Sequence, residues 1–438
     1  MAPETGPNRL ASAVNALFPR AVVRGFWLPL GIALVVGELV TRAVGASECA
    51  PVVPKATGWD TMIADPHYLW KLEPNRLFES PNGNTQANAV GLRAKLLPTD
   101  AKSTDERRII LTGDSAVYGW GLPDGKTYGE QLEAELNAGM VGAKVSVINL
   151  GIPGYSTEQT LMLLDEVGWS YAPDLLLVHN IFSDCNIDAF QDREALRLAN
   201  PENSAVYRTL HHSRLYCAAY MPLAHVRASF MQEPDRLLMP GRPAGPNAAM
   251  ALEKIDQVLD MSRVPLPDYL ENLGRMRDGA TAHHAAMVLG PLAQEWDAGV
   301  WTLPGTPAPT AGQVLPWHPY RTAQQRWAPA HDVDIIDIPA AYAAAPGDHE
   351  DLFIDNVHPT EWGARVLTCA VATYLRKHPS LLGLSAAQLP MQACTLTPPT
   401  GGAKRVRPPQ GAPPGPPPGG PPGPPPGGPP GGPPPTRI

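Results

Sequence analysis

The sequence has little of what metal, nucleotide and nucleic-acid sites are built from. Its 438 residues include five cysteines, none in a Cys-x-x-Cys pair, and no zinc-ligand spacing appears. Neither a Walker-type glycine loop nor a Gly-x-Ser-x-Gly elbow occurs. Basic residues are in the minority, since the formal net charge is −8. These absences argue against a metal site, a Walker-type phosphate site, an α/β-hydrolase fold proper and a nucleic-acid partner.

The cysteines leave the redox question open. Because their number is odd, they cannot all pair within one chain. Export would permit disulfides, but the sequence does not show which, if any, form. The five are Cys49, Cys185, Cys217, Cys369 and Cys394.

The N-terminus has the pattern of a targeting segment. Three arginines precede an apolar run at 25–40 that only Glu38 interrupts. One interpretation is a transmembrane signal-anchor over 21–42, with residues 1–20 in the cytoplasm. The other is a signal peptide, because Val44-Gly45-Ala46 satisfies the small-residue rule for cleavage. Both predict that the rest of the chain acts outside the cytoplasm, at a bacterial cell membrane or, after cleavage, as a secreted protein.

Apolar runs alternate with helical patterns from residue 106 onward. With 44% hydrophobic residues the chain can bury a sizeable core. Nearly continuous apolar runs are typical of parallel strands that are buried on both faces. The pattern therefore predicts an α/β fold, a three-layer sandwich around a parallel sheet of about five strands. The predicted strands are 108–112, 145–150, 174–179, 285–289 and 333–338; the predicted helices are 127–140, 156–169, 268–278 and 361–377.

The flanking segments are simpler in composition. We expect a linker and lead-in at 43–105, a main domain at 106–380 with a helical insertion at about 189–265, and a tail at 381–438. Proline and glycine dominate the tail from Pro408 onward, a composition that signals disorder.

A serine follows the first predicted strand directly, in Gly113-Asp114-Ser115. Ligands of open α/β sheets bind outside the carboxyl ends of the strands, so this hydroxyl can reach a substrate. The turn into a helix also aims backbone N–H groups at the same place, which suits a developing oxyanion.

An aspartate and a histidine stand three residues apart before the last helix, in Asp355-Asn356-Val357-His358-Pro359. A serine nucleophile needs a base to take its proton, and that base needs an acidic partner to fix its tautomer. Gly151, after the second strand, adds a backbone N–H that can approach an oxyanion closely.

The order of these features resembles that of the SGNH or GDSL-like hydrolases, from about residue 88 to residue 377. The matching segments are LTGDSAVYGWGL, INLGIPGYSTEQ and DNVHPTEWGA. The resemblance implies a flavodoxin-like SGNH fold, with Ser115 as nucleophile, His358 as general base and Asp355 as its partner. It also implies that the amides of Ser115 and Gly151 contribute to an oxyanion hole.

One block departs from that family. Its members usually have Gly-x-Asn-Asp after the third strand, whereas this chain has Ser183 before Asp184. Asn180 and Asn186 are nearby, and we expect Asn180 to take over as the third oxyanion donor. Loss of one such donor costs about 10²–10³ in rate.

The sequence thus predicts a serine ester hydrolase of acyl or acetyl esters that needs no cofactor or metal. Its partners would be an ester substrate (a small molecule, a lipid or an acylated glycan) and the membrane, through the N-terminal helix. We expect Tyr118 and Trp120 to contact the substrate. Two alternatives remain open: an O-acyltransferase of an envelope polysaccharide, and a non-catalytic binding module on the same fold. The sequence does not indicate an oligomeric state.

Overall fold

The structure is a computed structural model. It describes residues 27–46, 62–65, 67–78, 85–186, 191–199, 210, 212–220, 250–251, 260, 262–300 and 313–399. The expected cytoplasmic segment 1–20, much of the insertion and the tail from residue 400 onward lie outside these ranges.

Five strands form the central sheet, and all of their pairings are parallel. The sheet order is β11-β9-β7-β5-β6. The chain therefore runs from β5 to β6 on one side and then crosses to β7 on the other, which makes β5 the point where the order reverses. This is the 2-1-3-4-5 order of doubly wound folds, whose ligands bind at that point. The five are β5 (Glu106–Thr112), β6 (Lys144–Asn149), β7 (Leu175–Val178), β9 (Ala286–Leu289) and β11 (Asp334–Ile335).

The other described strands make two-stranded antiparallel pairs. They are β1 (Met62–Asp65) with β2 (Leu69–Leu72), β3 (Leu77–Phe78) with β4 (Thr85–Gln86), and β8 (Met250–Ala251) with β10 (Gln313–Val314).

Two groups of helices complete the sandwich. In one group α3 (Tyr128–Asn137) packs against α9 (Glu361–Lys377), and α9 packs against α8 (Ile338–Ala343). In the other group α6 (Leu266–Ala282) packs against α4 (Thr157–Glu166) and α7 (Trp317–Ala330). The predicted α/β sandwich with a parallel sheet of five strands is confirmed. The helices are α1 (Leu28–Ala43), α2 (Ser115–Tyr118), α3 (Tyr128–Asn137), α4 (Thr157–Glu166), α5 (Asp192–Ala199), α6 (Leu266–Ala282), α7 (Trp317–Ala330), α8 (Ile338–Ala343) and α9 (Glu361–Lys377).

Local sequence explains where the main helices begin. Thr127 and Glu130 form a reciprocal capping box at the start of α3. At the start of α4, Gln159 Oε1 accepts from the Ser156 N–H at 3.1 Å. Thr360 caps α9 by accepting from the Gly363 N–H at 3.1 Å. These caps place the helices close to where the sequence predicts them.

The lead-in is more regular than the sequence predicts, because the β1–β2 hairpin packs on the main domain. Trp70 Nε1 donates to Pro153 O at 3.0 Å, and Tyr155 Oη donates to Trp70 O at 2.7 Å. Gln159 Nε2 donates to Tyr68 O at 2.6 Å. The hairpin therefore covers the segment that joins β6 to α4.

The N-terminal helix α1 exposes its apolar side chains and contacts the insertion through Glu38. The Glu38 carboxylate accepts from Ser213 Oγ at 2.7 Å and from the N–H groups of Arg214 and Leu215 at 3.2 and 3.0 Å. It thereby caps the helical segment 214–220. Across the described residues we find no helix with both the length and the apolarity to cross a membrane.

Residues 381–399, which the sequence assigns to the tail, are held against α9. A disulfide joins Cys369 of α9 to Cys394, with a Cα–Cα distance of 5.3 Å. Arg365 Nε donates to Thr395 O at 3.2 Å. Cys217 is also disulfide-bonded, whereas Cys185 is free and buried.

Candidate active site

The turn after β5 carries Ser115 at the carboxyl edge of the sheet. Gly113 leaves no room for a side chain, because a Cβ there would lie 2.4 Å from Val117 Cγ2. Asp114 caps α2 by accepting from the Ala116 N–H at 3.1 Å. Ser115 is the first residue of α2, so its N–H is one that a helix leaves without an internal acceptor. The turn thus presents a hydroxyl and a backbone N–H of the same residue.

Asp355 and His358 lie on the loop that leads into α9. The Ile354 N–H donates to His358 O at 2.8 Å, which closes the loop on itself. Asp355 Oδ1 accepts from the N–H groups of Val357 and His358 at 3.0 and 2.9 Å. The carboxylate is therefore held by the backbone of its own loop, with its second oxygen left for the imidazole.

The structure brings Ser115, His358 and Asp355 together in one chain of hydrogen bonds. Ser115 Oγ lies 2.7 Å from His358 Nε2, and His358 Nδ1 lies 2.7 Å from Asp355 Oδ2. In the tautomer that this order requires, the serine hydroxyl donates to Nε2 and the Nδ1–H donates to the carboxylate. Burial raises the pKa of Asp355, but the imidazole and the two loop N–H groups outweigh it and hold the pKa below its usual range. The aspartate is then ionised at neutral pH.

Gly151 lies against α2, but its N–H already has an acceptor. A Cβ at Gly151 would lie 2.7 Å from the Tyr118 nitrogen, so no side chain fits there. The Gly151 N–H donates to Asn149 Oδ1 at 2.8 Å, and Asn149 Nδ2 donates to Val117 O at 2.9 Å. An oxyanion would have to share this N–H with Asn149 or displace the amide. Its role as an oxyanion donor remains a prediction.

The side chains of Asn180, the expected third oxyanion donor, and of Ser183 have different contacts. Asn180 is fully buried, and its Nδ2 donates to Thr160 Oγ1 at 2.9 Å. Its contacts are thus with α4 and, through its carbonyl, with Tyr269 of α6. Ser183, at the position of the family's asparagine, donates from Oγ to Asp114 Oδ2 at 3.1 Å. The residue of this loop that reaches the nucleophile turn is therefore Ser183 rather than Asn180.

Of the two aromatic residues expected to contact substrate, the structure buries one. Tyr118 is 5% exposed, and the guanidinium of Arg93 lies 5.2 Å from the centre of its ring. Tyr118 therefore faces away from solvent, which corrects the expectation for that residue. Trp120 is partly exposed, and its ring centre lies 6.3 Å from that of His358.

Asp114 is a site residue whose environment the sequence does not reveal. It is buried beside Ser115, and this burial raises its pKa; the Ala116 N–H, the charge of His358 and Ser183 act in the opposite direction. The Gly-Asp-Ser motif marks the position, but its burial depends on the loop after β7. In the part of the chain that the structure describes, no three His, Cys, Asp or Glu side chains gather so as to hold a metal ion.

No family model matches the chain, and no curated protein matches it. Solved structures do resemble it in fold, at low identity. A lipase/acylhydrolase from Enterococcus faecalis has 15% identity and a TM-score of 0.37, with 62% of this chain and 96% of that chain covered. A GDSL-like lipase from Bacteroides thetaiotaomicron has 13% identity and a TM-score of 0.35 over 64% of this chain and 92% of its own.

An acetylxylan esterase from Geobacillus stearothermophilus has 14% identity and a TM-score of 0.34, covering 64% of this chain and 95% of its own. The chain is thus similar to these lipases, acylhydrolases and esterases only at TM-scores below 0.5. A likeness at this level says nothing about the substrate or about the roles of individual residues.

Proposed function

We propose that the protein is a serine ester hydrolase that acts on acyl or acetyl esters outside the cytoplasm through an acyl-enzyme. Ser115 Oγ attacks the ester carbonyl while His358 takes its proton, and Asp355 stabilises the imidazolium that forms. His358 then protonates the leaving alcohol. Water, deprotonated by the same imidazole, attacks the acyl-enzyme and releases the acid.

The observation that carries this proposal is the pair of 2.7 Å hydrogen bonds from Ser115 to His358 and from His358 to Asp355. These side chains come from distant parts of the sequence, with 243 residues separating the serine from the histidine. A merely structural serine at the sheet edge would need neither partner. The arrangement is the one that activates a hydroxyl as a nucleophile.

An extracytoplasmic location is part of the proposal. Disulfides persist in oxidising compartments, and both Cys369–Cys394 and Cys217 are bonded in this structure. The exposed apolar side chains of α1 support association with a membrane, because such a surface is unfavourable in water.

The binding-module alternative is favoured by two observations. The Gly151 N–H is occupied by Asn149, and Ser183 stands in place of an asparagine, so two donors of the expected oxyanion hole are altered. A fold that kept its triad but lost its oxyanion donors would bind esters and turn them over slowly.

The experiment uses the full-length chain, p-nitrophenyl acetate and a fluorophosphonate that labels activated serines. We expect Ser115→Ala to remove labelling and to lower kcat by about 10³ or more, and His358→Ala to do the same. Ser170→Ala is the matched control, since Ser170 is exposed in the turn at Gly168–Tyr171. Full activity in Ser115→Ala would refute the proposal. A wild-type chain that neither labels nor hydrolyses would favour the binding module.

A further inference from the structure

The loop that follows the nucleophile helix places an indole beside the catalytic imidazole. Trp120 lies between Gly119 and Gly121, whose φ angles are +83° and +76°, a conformation that glycine adopts without strain. The backbone N–H of Trp120 donates to Ser115 O at 3.0 Å, so the loop turns back on Ser115 itself. The main chain of Trp120 is therefore fixed relative to Ser115, and its indole lies next to His358.

A single arginine from the lead-in holds this loop, which we call the indole loop (residues 118–124). Arg93 Nη1 donates to Tyr118 O at 3.1 Å and to Gly119 O at 2.9 Å. Its Nη2 donates to Leu122 O at 2.8 Å and to Asp124 Oδ1 at 2.8 Å. Arg93 is 8% exposed, so these bonds are shielded from water. One buried side chain thus binds four residues of the loop.

The triad is open to solvent on its Asp355 side. The side chain of His358 is 12% exposed and that of Asp355 is 45% exposed. Ser115 and His358 are themselves partly exposed, so an ester carried on a large, water-soluble molecule can reach them without being fully enclosed. The indole of Trp120, which is partly exposed, lies beside the imidazole of His358.

A rigid indole face binds flat surfaces that are apolar on one side and polar around the rim. The face offers a large apolar area at little entropic cost, because Trp has two side-chain torsions and this one lies on a held loop. The C–H face of a sugar ring matches it, since the hydroxyl or acyloxy groups of the sugar lie at the rim. A linear acyl chain or a small alcohol would cover little of the indole.

We propose that Trp120 stacks on the sugar ring that carries the ester, so that the substrates are O-acylated carbohydrates. This inference rests on the proposed function. Trp120 is then the residue that determines specificity, and Arg93 is a positioning residue that acts through the indole loop.

The first test compares two acetyl esters, ethyl acetate and glucose pentaacetate, on the full-length chain with a pH-stat. We expect Trp120→Ala to lower kcat/KM for glucose pentaacetate about 10-fold, mainly through KM, and to change that for ethyl acetate by less than about 3-fold. Trp169→Ala is the matched control, because Trp169 packs on His283 at the opposite edge of the sheet. An equal loss on both esters, or no loss on either, would overturn the inference.

A second measurement reads the stacking without turnover. Calorimetric titration of the Ser115→Ala protein with glucose pentaacetate should show binding that Trp120→Ala weakens about 10-fold and Trp169→Ala does not. If the wild-type chain hydrolyses neither ester, the proposed function fails, whereas binding that depends on Trp120 would still support the sugar subsite. Binding that is unaffected by Trp120→Ala would refute that subsite whether or not the chain is an esterase.

Arg93 is tested by Arg93→Lys, with Arg107→Lys at the other end of the sheet as control. Lysine keeps the charge but loses the forked geometry that reaches several carbonyls at once. For a positioning role we expect KM for glucose pentaacetate to rise about 3–10-fold while kcat for ethyl acetate is retained. A proportional loss on both esters would indicate a general structural role instead.

Discussion

Asp184 is a buried carboxyl group that is not part of the triad. It is fully buried, and its Oδ1 accepts from the N–H and the hydroxyl of Thr157 at 2.8 and 2.6 Å. Burial raises its pKa to about 8, the hydrogen bonds from Thr157 oppose the rise, and the charge of Asp192 adds to it. Its pKa in the unfolded chain is about 3.9.

The difference between these two pKa values predicts how stability changes with pH. Between about pH 4 and pH 8 the folded state holds a proton that the unfolded state has lost, so the free energy of unfolding falls as pH rises, by up to about 1.4 kcal/mol per unit. Above the folded pKa the effect levels off. We expect Asp184→Asn to flatten the slope and to raise the Tm at pH 8 relative to wild type. Thermal unfolding from pH 5 to pH 8 measures this, with Asp278→Asn on the surface as control; an unchanged slope would contradict it.

At the residue scale, the sequence predicts positions better than it predicts hydrogen-bond partners. Ser115, Asp355 and His358 could be identified because each stands in a short motif at a strand or helix end. The hydrogen bond that occupies the Gly151 N–H could not be predicted, since it depends on the rotamer of Asn149. The amide of that side chain also donates to Val117 O in α2. Arg93 carries no local signal, because its partners lie 25 to 31 residues further along the chain.

At the element scale, continuous apolar runs and capping pairs predict the strands and helices that they occupy. The sequence misses α7 because two prolines and several polar residues interrupt its pattern, although Trp317 and Tyr320 bury one side of it. The predicted last strand is cut to two residues, because Asp337 caps α8 by accepting from the Ala340 N–H. The hairpin strands have two to four residues each, too few for a periodic signal.

The disulfide on α9 should stabilise this helix and the segment after it. The bond closes a loop with a sequence separation of 25, for which the entropy of the unfolded chain predicts about 3.5 kcal/mol. We expect Cys394→Ser to lower the free energy of unfolding by about that amount, measured by guanidinium denaturation. A reductant should lower the stability of wild type by more than that of the variant, in which the disulfide of Cys217 remains to be reduced. Equal sensitivity of the two proteins to reductant would contradict the prediction.

At the scale of the whole molecule, the lead-in is part of the folded domain. Leu69 and Leu72 of β2 are fully buried, and Leu69 packs with Ala195, Leu196 and Ala199 of α5. The Arg263 guanidinium lies 5.3 Å from the centre of the Trp70 ring. The hairpin therefore joins the main sheet region to the start of the insertion.

Removing this hairpin should cost more than removing the N-terminal helix. We expect a chain that begins at residue 76 to lose about 3 kcal/mol or more, because buried leucines and four hydrogen-bonded or stacked contacts disappear. A chain that begins at residue 47 keeps the hairpin and should lose less than about 1 kcal/mol. Urea unfolding of the two shortened proteins beside the full chain measures the difference. Equal stability of the two would mean that the hairpin adds nothing to the fold.

The docking of this hairpin also dictates an order of assembly. Residues 62–72 leave the ribosome early, while the Arg263 side chain that lies over Trp70 is made much later. The strands β5 and β6, close together in the chain, can pair long before then. Until α5 and Arg263 have been synthesised, Leu69 and Trp70 have no completed surface to cover, so this segment stays exposed to chaperones and proteases. The part of the domain that is made first is therefore among the last to reach its native place.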